Sequence, residues 1–144
     1  MTILQAKGLT RRFGGVLAVD GVDLDITQGE VRALIGPNGA GKSTLVGMLC
    51  GRIEASAGQV VFQGDDITGL PGHQRVSLGM AYTFQITSIF SRLSLYENVA
   101  LAVRRRHPGS HEAVHHEVEE ALSAVGLADR MDEIAGDLSY GHQR

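Results

Sequence analysis

Residues 36–44 decide the fold of this 144-residue chain, and they read Gly36-Pro37-Asn38-Gly39-Ala40-Gly41-Lys42-Ser43-Thr44. The run fits G-x-x-x-x-G-K-[ST], in which glycines let the backbone turn tightly and bring N–H groups close to a phosphate. A lysine here reaches the β- and γ-phosphates, and the hydroxyl after it coordinates Mg²⁺. The sequence therefore predicts a phosphate-binding loop with Lys42 on the phosphates and Ser43 on Mg²⁺.

The residues on either side of the loop supply the context that this motif requires. Glu30 to Ile35 predicts a buried strand before the loop, and Ser43 to Cys50 predicts a helix after it. The amino end of such a helix carries partial positive charge, which attracts phosphate. Strand, loop and helix together predict an α/β fold.

The rest of the first half is rich in predicted strands. Alternating or apolar runs between glycines predict strands over Ile3–Thr10, Gly21–Ile26, Gly58–Gly64 and Met80–Phe84. Residues 11–15 predict a turn between the first two of these strands. Pro71 predicts the start of a short helix that runs to Leu78, because proline is tolerated at a first helical position.

The second half of the chain changes to helical patterns. One helix is predicted over Leu95–Val103, and a second begins after Ser110, a favourable N-cap residue, and stops at Gly126. We therefore predict a nucleotide-binding core over residues 1–92 and a helical subdomain over residues 93–144.

Composition limits the function classes. The net charge of −3 gives no overall attraction to nucleic acid or acidic lipid, and no apolar run approaches the length of a membrane span. The single cysteine, Cys50, has no partner for an internal disulfide and is interpreted as core filler. These features are typical of a protein of the reducing cytoplasm.

The end of the chain carries a second motif. It reads Leu138-Ser139-Tyr140-Gly141-His142-Gln143-Arg144. This run resembles the signature motif of ATP-binding cassette (ABC) ATPases, usually Leu-Ser-Gly-Gly-Gln, with Tyr140 at the first glycine and His142 at the glutamine. Thr83-Phe84-Gln85 resembles the family's Q-loop, and Phe13 lies where the family places an aromatic residue against adenine.

The resemblance covers essentially the whole chain and implies a P-loop NTPase of the ABC ATPase type, with antiparallel N-terminal strands and a helical subdomain. Local runs look most like the ATPase subunits of branched-chain amino acid importers; they are Arg12–Gly15, Thr83–Gln85, Phe90 and Leu95–Val99. The implied protein lies on the cytoplasmic face of the inner membrane. Its implied partners are membrane permease subunits, a second ATPase subunit in a head-to-tail dimer and, indirectly, a periplasmic solute-binding protein, with no nucleic acid.

The same resemblance implies residue roles. Phe13 stacks on adenine, residues 36–44 hold the phosphates of ATP, and Ser43 and Gln85 ligate Mg²⁺. Gln85 also couples the γ-phosphate to the membrane partner, while residues 138–143 form the surface that completes the site of a second subunit. A groove for the permease is expected over residues 86–96.

The family's Walker B strand, with its aspartate and catalytic glutamate, and its switch histidine would follow Arg144. We therefore expect a domain truncated before Walker B, with no catalytic residue among these residues and no turnover by this chain alone. The intact protein is expected to be an ATPase.

Simpler explanations stay open for several residues. Phe13 could be a packed aromatic, Gln85 a hydrogen-bonding residue at a strand end, and Ser139 a helix N-cap. His111 and His115 have a spacing that could hold a metal, but the surrounding glutamates favour a solvated helix face. The run Arg104-Arg105-Arg106 could contact lipid headgroups or nucleic acid, but so short a run is usually solvated.

Two other functions also stay open. One is an ABC ATPase that acts on nucleic acid or ribosomes, which would require insertions or basic grooves. The other is a nucleotide-binding module without turnover.

Overall fold

The structure, a computed structural model, describes residues 1–83 and 88–143. The chain divides into two compact units, Met1–Thr83 and Phe84–Arg144. Each unit has a hydrophobic core of its own. The functional division that the sequence predicts after residue 92 stays a prediction.

The first unit is built on an antiparallel sheet. Its strands are β1 (Thr2–Phe13), β2 (Val16–Thr27), β3 (Ala57–Phe62) and β4 (Asp65–Asp66), in the order β2-β1-β3-β4. The antiparallel N-terminal strands expected from the resemblance are thus confirmed. The turn predicted over residues 11–15 is shorter, because β1 and β2 stay paired to Phe13 and Val16 and leave only Gly14 and Gly15 in the turn.

This unit also contains two helices, of which the first packs on the sheet. They are α1 (Lys42–Leu49) and α2 (Gly72–Ser77), each within a residue or so of its predicted bounds. The buried core of this unit joins apolar side chains of α1 to those of the sheet. It comprises Ala6, Leu9, Val19, Leu45, Met48, Leu49, Val60, Phe62 and Ile67.

Two predicted strands are wrong for the residues described. Residues 30–35 and 80–83 have no strand conformation, and Val31 and Ile35 are 97% and 93% exposed instead of buried. A strand exists only as part of a hydrogen-bonded ladder, and no described strand pairs with either segment. Residues 30–32 are held locally, since Arg32 pairs with Glu30 and donates to the carbonyl of Asp25.

The second unit is helical. It contains α3 (Leu95–Val103), α4 (His111–Ala124), short 3-10 turns at Ala128–Arg130 and Ala135–Asp137, and α5 (Tyr140–Gln143). The predicted bounds of α3 and the predicted N-cap Ser110 of α4 are confirmed. Ser94 and Glu97 form a reciprocal capping box that fixes the start of α3. The core comprises Leu95, Ala100, Val103, Val114, Val118, Leu122, Ala135 and Leu138.

Candidate nucleotide-binding site

The phosphate loop leads directly into α1. Gly41 is the residue before the helix and has a φ of 80°, in the left-handed region that favours glycine. It makes no side-chain cap, and the first turn of α1 contains no acidic residue. The N–H groups and the positive end of the helix dipole at this point are therefore available to an anion.

Lys42 is folded over this loop. Its Nζ donates hydrogen bonds to the carbonyl oxygens of Gly36 and Pro37, at 2.7 and 2.6 Å. Because Lys42 is also the first residue of α1, its ammonium charge and the helix dipole act at the same end of the helix. Ser43, beside it, is exposed to solvent. This set of donors fits the phosphates of a nucleotide, and the hydroxyl of Ser43 fits a magnesium ligand.

Strand β2 fixes the end of the loop by a close backbone approach. A Cβ atom added to Gly41 would lie 2.2 Å from the carbonyl oxygen of Ala18 and 3.2 Å from Cγ2 of Val19. A Cβ atom added to Gly39, whose φ is 82°, would have no atom of the described residues beyond its two chain neighbours within 4 Å. Position 41 therefore favours glycine both for its left-handed backbone and for its close packing on β2. Position 39 favours glycine for its left-handed backbone alone.

We expect Gly41→Ala to destabilise the first unit by about 3 kcal/mol, from left-handed strain together with the clash against Ala18. Gly39→Ala carries the strain without the clash and should cost about 1 kcal/mol. Urea unfolding followed by circular dichroism measures both. Equal costs for the two variants would contradict the proposed packing of Gly41 on β2.

Phe13 ends β1 with its side chain 45% exposed. The guanidinium carbon of Arg11 lies 4.5 Å from the ring centroid, in a cation–π contact. The ring is therefore not a buried packing residue, although its stacking on adenine stays a prediction. Gln85, the predicted Q-loop residue, lies outside the described residues.

The predicted signature residues divide into buried and exposed members. Leu138 is buried in the second unit's core, whereas Ser139, Tyr140, Gly141 and His142 are exposed. Gln143 is turned back onto the backbone, where its Nε2 donates to the carbonyl oxygen of Leu138 at 2.9 Å. Leu138 and Gln143 thus anchor the short exposed segment that lies between them.

His142 lies in a small polar network. Its Nδ1 is 3.2 Å from Oγ of Ser139 and 3.1 Å from Nη1 of Arg130. Arg130 also forms a two-point pair with Glu133, at 2.8 and 2.7 Å. The hydrogen bonds from Arg130 hold the pKa of Glu133 below its ordinary value, and the same bonds raise the pKa of Arg130. The ion pair of Arg130 and Glu133 therefore lies beside His142 of the signature segment.

Asn98 is a site residue that sequence reasoning did not single out as functional. Its Oδ1 accepts a hydrogen bond from the Phe90 backbone N–H at 2.8 Å, and its Nδ2 donates to the Phe90 and Ser94 carbonyls at 3.1 and 2.9 Å. Asparagine has a low helix propensity, so its presence inside a predicted helix is a sequence signal that its side chain has a specific role. Its side chain holds the described part of the loop that follows Gln85.

The histidine-rich helix shows ordinary surface chemistry. Glu117 pairs with Arg106 and with His107, and His116 lies 3.6 Å from Glu120. Across the described ranges, no group of three or more His, Cys, Asp or Glu side chains could hold a metal. The same ranges include no helix long and apolar enough to cross a membrane.

Comparisons with known proteins agree with this geometry. A family profile described as "ABC transporter" matches residues 19–144. The chain is 36% identical to the high-affinity branched-chain amino acid transport ATP-binding protein BraF of Pseudomonas aeruginosa, over 99% of this chain and 61% of that protein. It is 35% identical to the lipopolysaccharide export system ATP-binding protein LptB of Escherichia coli K12, over 100% of this chain and 60% of that protein.

Solved structures give the same result. A nucleotide-free ATP-binding cassette from an ABC transporter has a TM-score of 0.84 at 30% identity, over 99% of this chain and 61% of that one. A cassette in its ADP conformation has a TM-score of 0.78 at 29% identity, again over 99% and 61%. The chain thus spans less than two thirds of the length of these relatives.

Proposed function

The chain belongs to the ATP-binding proteins of ABC transporters, and from that premise we propose that it is the nucleotide-binding part of an ATPase that drives transport of a small solute. The observation that carries this proposal is the position of Lys42, folded over the phosphate loop at the positive end of α1. Two sources of positive charge act there on one ligand, and a polyphosphate such as Mg·ATP is the chemistry that fits them.

Different residues of the first unit would then contact the phosphates, the magnesium ion and the adenine of the nucleotide. The backbone N–H groups of residues 36–44 and Lys42 hold the phosphates, and the exposed hydroxyl of Ser43 is a magnesium ligand. Phe13 offers a half-exposed ring to adenine. Gln85 is proposed as a second magnesium ligand. Bound Mg²⁺ supplies charge neutralisation on the phosphates.

The signature segment of the second unit is proposed to complete the nucleotide site of another ATPase subunit, in a head-to-tail dimer. Exposure of Ser139, Tyr140, Gly141 and His142 supports this, because a segment that acts on another subunit must be accessible. Anchoring by Leu138 and Gln143 supports it further, since an ordered segment loses less conformational entropy on binding.

Branched-chain amino acids are the proposed solute, with membrane permease subunits and a periplasmic binding protein as partners at the cytoplasmic face of the inner membrane. The similarity to BraF, and to the branched-chain amino acid transport ATP-binding protein LivG of Escherichia coli K12, which is 33% identical, supports this choice. The comparable identity to LptB makes lipopolysaccharide export the second candidate.

Gene deletion distinguishes these candidates. Loss of radiolabelled leucine, isoleucine and valine uptake, restored by the gene, is expected for the first. Normal uptake together with lipopolysaccharide retained in the inner membrane would overturn the amino acid proposal in favour of export.

The permease is proposed to bind the segment over residues 86–96. Ile86 lies outside the described residues, and the other apolar side chains are not equally exposed. Phe90 is 63% exposed, whereas Ile89 packs against the second unit's core and Leu93 is partly buried. The exposed apolar group is therefore Phe90, on a loop that Asn98 holds in place.

This loop and the signature segment share a cavity within the second unit. The cavity has a volume of about 300 Å³, and both Ile89 and residues 141–143 line it. A partner that moves the loop would therefore change a cavity that the signature segment also lines. This supports a role for the loop in coupling.

Cysteine crosslinking tests the permease surface. With Cys50 replaced by serine, a cysteine at the exposed position 90 should crosslink to the permease when the complex is assembled in membranes, and a cysteine at the partly buried position 89 should do so less. A cysteine at position 116, on the exposed face of α4, is the matched control and should give no product. Crosslinks from 116 alone, with none from 89 or 90, would overturn the proposed surface.

A further inference from the structure

A buried arginine lies behind the nucleotide site. Arg75, on α2, is 3% exposed. Burial lowers the pKa of its guanidinium and is the largest influence on that pKa. A buried charge of this kind is costly unless its hydrogen-bonding groups are satisfied. The partners of Arg75 therefore indicate what it stabilises.

Within the described part of the chain, the Arg75 guanidinium donates its hydrogen bonds to backbone carbonyls. Nη1 donates to Met48 and Leu49, at 2.8 Å each. Nε donates to Leu70 at 2.8 Å, and Nη2 donates to Thr68 at 2.9 Å. The planar fork of an arginine matches such a set of acceptors in a way that lysine does not.

Two of these carbonyls belong to the last residues of α1, the helix that begins at Lys42. The last carbonyls of a helix have no partner within it, and they carry partial negative charge. The last turn of α1 contains no basic residue of its own. Arg75 supplies from α2 a positive charge and donors at this end of α1, where the Met48 carbonyl also accepts from the Gly51 N–H at 3.2 Å.

The backbone around this contact is shaped to admit the guanidinium. A Cβ atom on Gly51 would lie 2.7 Å from Nε of Arg75 and 2.9 Å from the Leu70 carbonyl oxygen. The Gly51 carbonyl accepts from the Gly72 N–H at 3.0 Å, which joins the second residue after α1 to the start of α2. The Arg75 side chain and the hydrogen bond between Gly72 and Gly51 thus both hold the carboxyl end of α1.

We propose that Arg75 is a positioning residue of the nucleotide site, which holds the carboxyl end of α1 so that Lys42 and Ser43 at its amino end are correctly placed. The inference rests on the proposed function. An eight-residue helix is marginal without tertiary contacts, and here both ends are fixed, by Gly41 against Ala18 and by Arg75. Release of one end changes the position of the other.

The test compares Arg75→Met and Arg75→Lys with Ile3→Ala, a variant in the same unit whose side chain packs on the core near the start of β1. Calorimetric titration with Mg·ATP is run at a temperature at which circular dichroism shows every protein to be folded. We expect Kd to rise about tenfold in Arg75→Met and by a smaller factor in Arg75→Lys, and to stay unchanged in Ile3→Ala. Should Arg75→Met fail to fold, Arg75→Lys carries the comparison.

Amide hydrogen exchange without nucleotide provides a second measurement. The amide of Leu45, which donates to the Gly41 carbonyl at 2.8 Å at the start of α1, should exchange faster in the Arg75 variants than in Ile3→Ala. Equal exchange in all variants, or an equal rise of Kd in Ile3→Ala, would overturn the positioning role. Absence of Mg·ATP binding by the unmodified chain would instead overturn the proposed function, and the exchange measurement would still decide on Arg75.

Discussion

Lys42→Ala should abolish measurable binding of Mg·ATP by this chain. The ammonium contributes a charge-assisted hydrogen bond to the phosphates, worth about 1.5–3 kcal/mol or more, and its loss raises Kd by roughly tenfold to more than a hundredfold. In the structure Nζ of Lys42 lies 2.7 and 2.6 Å from two carbonyls of the loop. The side chain is therefore held over the loop that we propose to bind the phosphates. Calorimetric titration with Mg·ATP measures the change.

The chain provides its own control for this experiment. Its other lysine, Lys7, is exposed on β1, so that Lys7→Ala removes the same charge from the same unit at a different place. We expect Lys7→Ala to bind like the unmodified chain. Unchanged affinity of Lys42→Ala, or an equal loss in both variants, would contradict the role of the phosphate loop.

We also expect the polypeptide of residues 1–144 to show no ATP turnover by itself, at a rate roughly 10³-fold or more below that of an intact ABC ATPase. Phosphoryl transfer requires a group that positions the attacking water, and the resemblance places that group, the Walker B glutamate, after Arg144. The roles that we propose for Lys42 and Ser43, binding the phosphates and Mg²⁺, do not supply this group. A phosphate-release assay on the purified polypeptide measures the rate.

The same polypeptide should associate with itself. Val31 and Ile35 are almost fully exposed in a segment whose composition predicts a buried strand, and an unpaired apolar edge of this kind invites pairing with another chain. Light scattering should detect the association, and Val31→Ser with Ile35→Ser should reduce it. A monomeric polypeptide with the turnover of an intact ABC ATPase would refute both expectations.

Local signals predicted the parts of the fold that depend on local interactions. The helical pattern from Leu95 predicts the start of α3, which the structure shows to be fixed by a capping box of Ser94 and Glu97, and the N-cap Ser110 predicts the start of α4. The phosphate loop could be predicted for the same reason, because its function requires a fixed order of glycines, lysine and hydroxyl within nine residues. In each case the interacting groups are close together in the sequence.

Predictions that depended on distant residues were less successful. The strand expected over residues 30–35 needs a neighbour in a ladder, and apolar composition alone does not supply one. The extension of β1 to Phe13 depends on pairing with Val16 and on the Arg12 N–H, which donates to the Ser56 hydroxyl. Arg75 has no sequence signal at all, since its acceptors at Met48 and Leu49 lie 27 and 26 residues away.

The central claim is that residues 36–44 bind the phosphates of Mg·ATP, and an NMR titration of the ¹⁵N-labelled chain tests it most directly. Glycine amides resonate in a well-separated region, so that Gly36, Gly39 and Gly41 can be followed individually. We predict that these amides and those of the first turn of α1 show the largest and saturable shifts, and that the shifts are lost in Lys42→Ala. Saturable shifts confined to other parts of the chain, or no shifts at all, would contradict the claim.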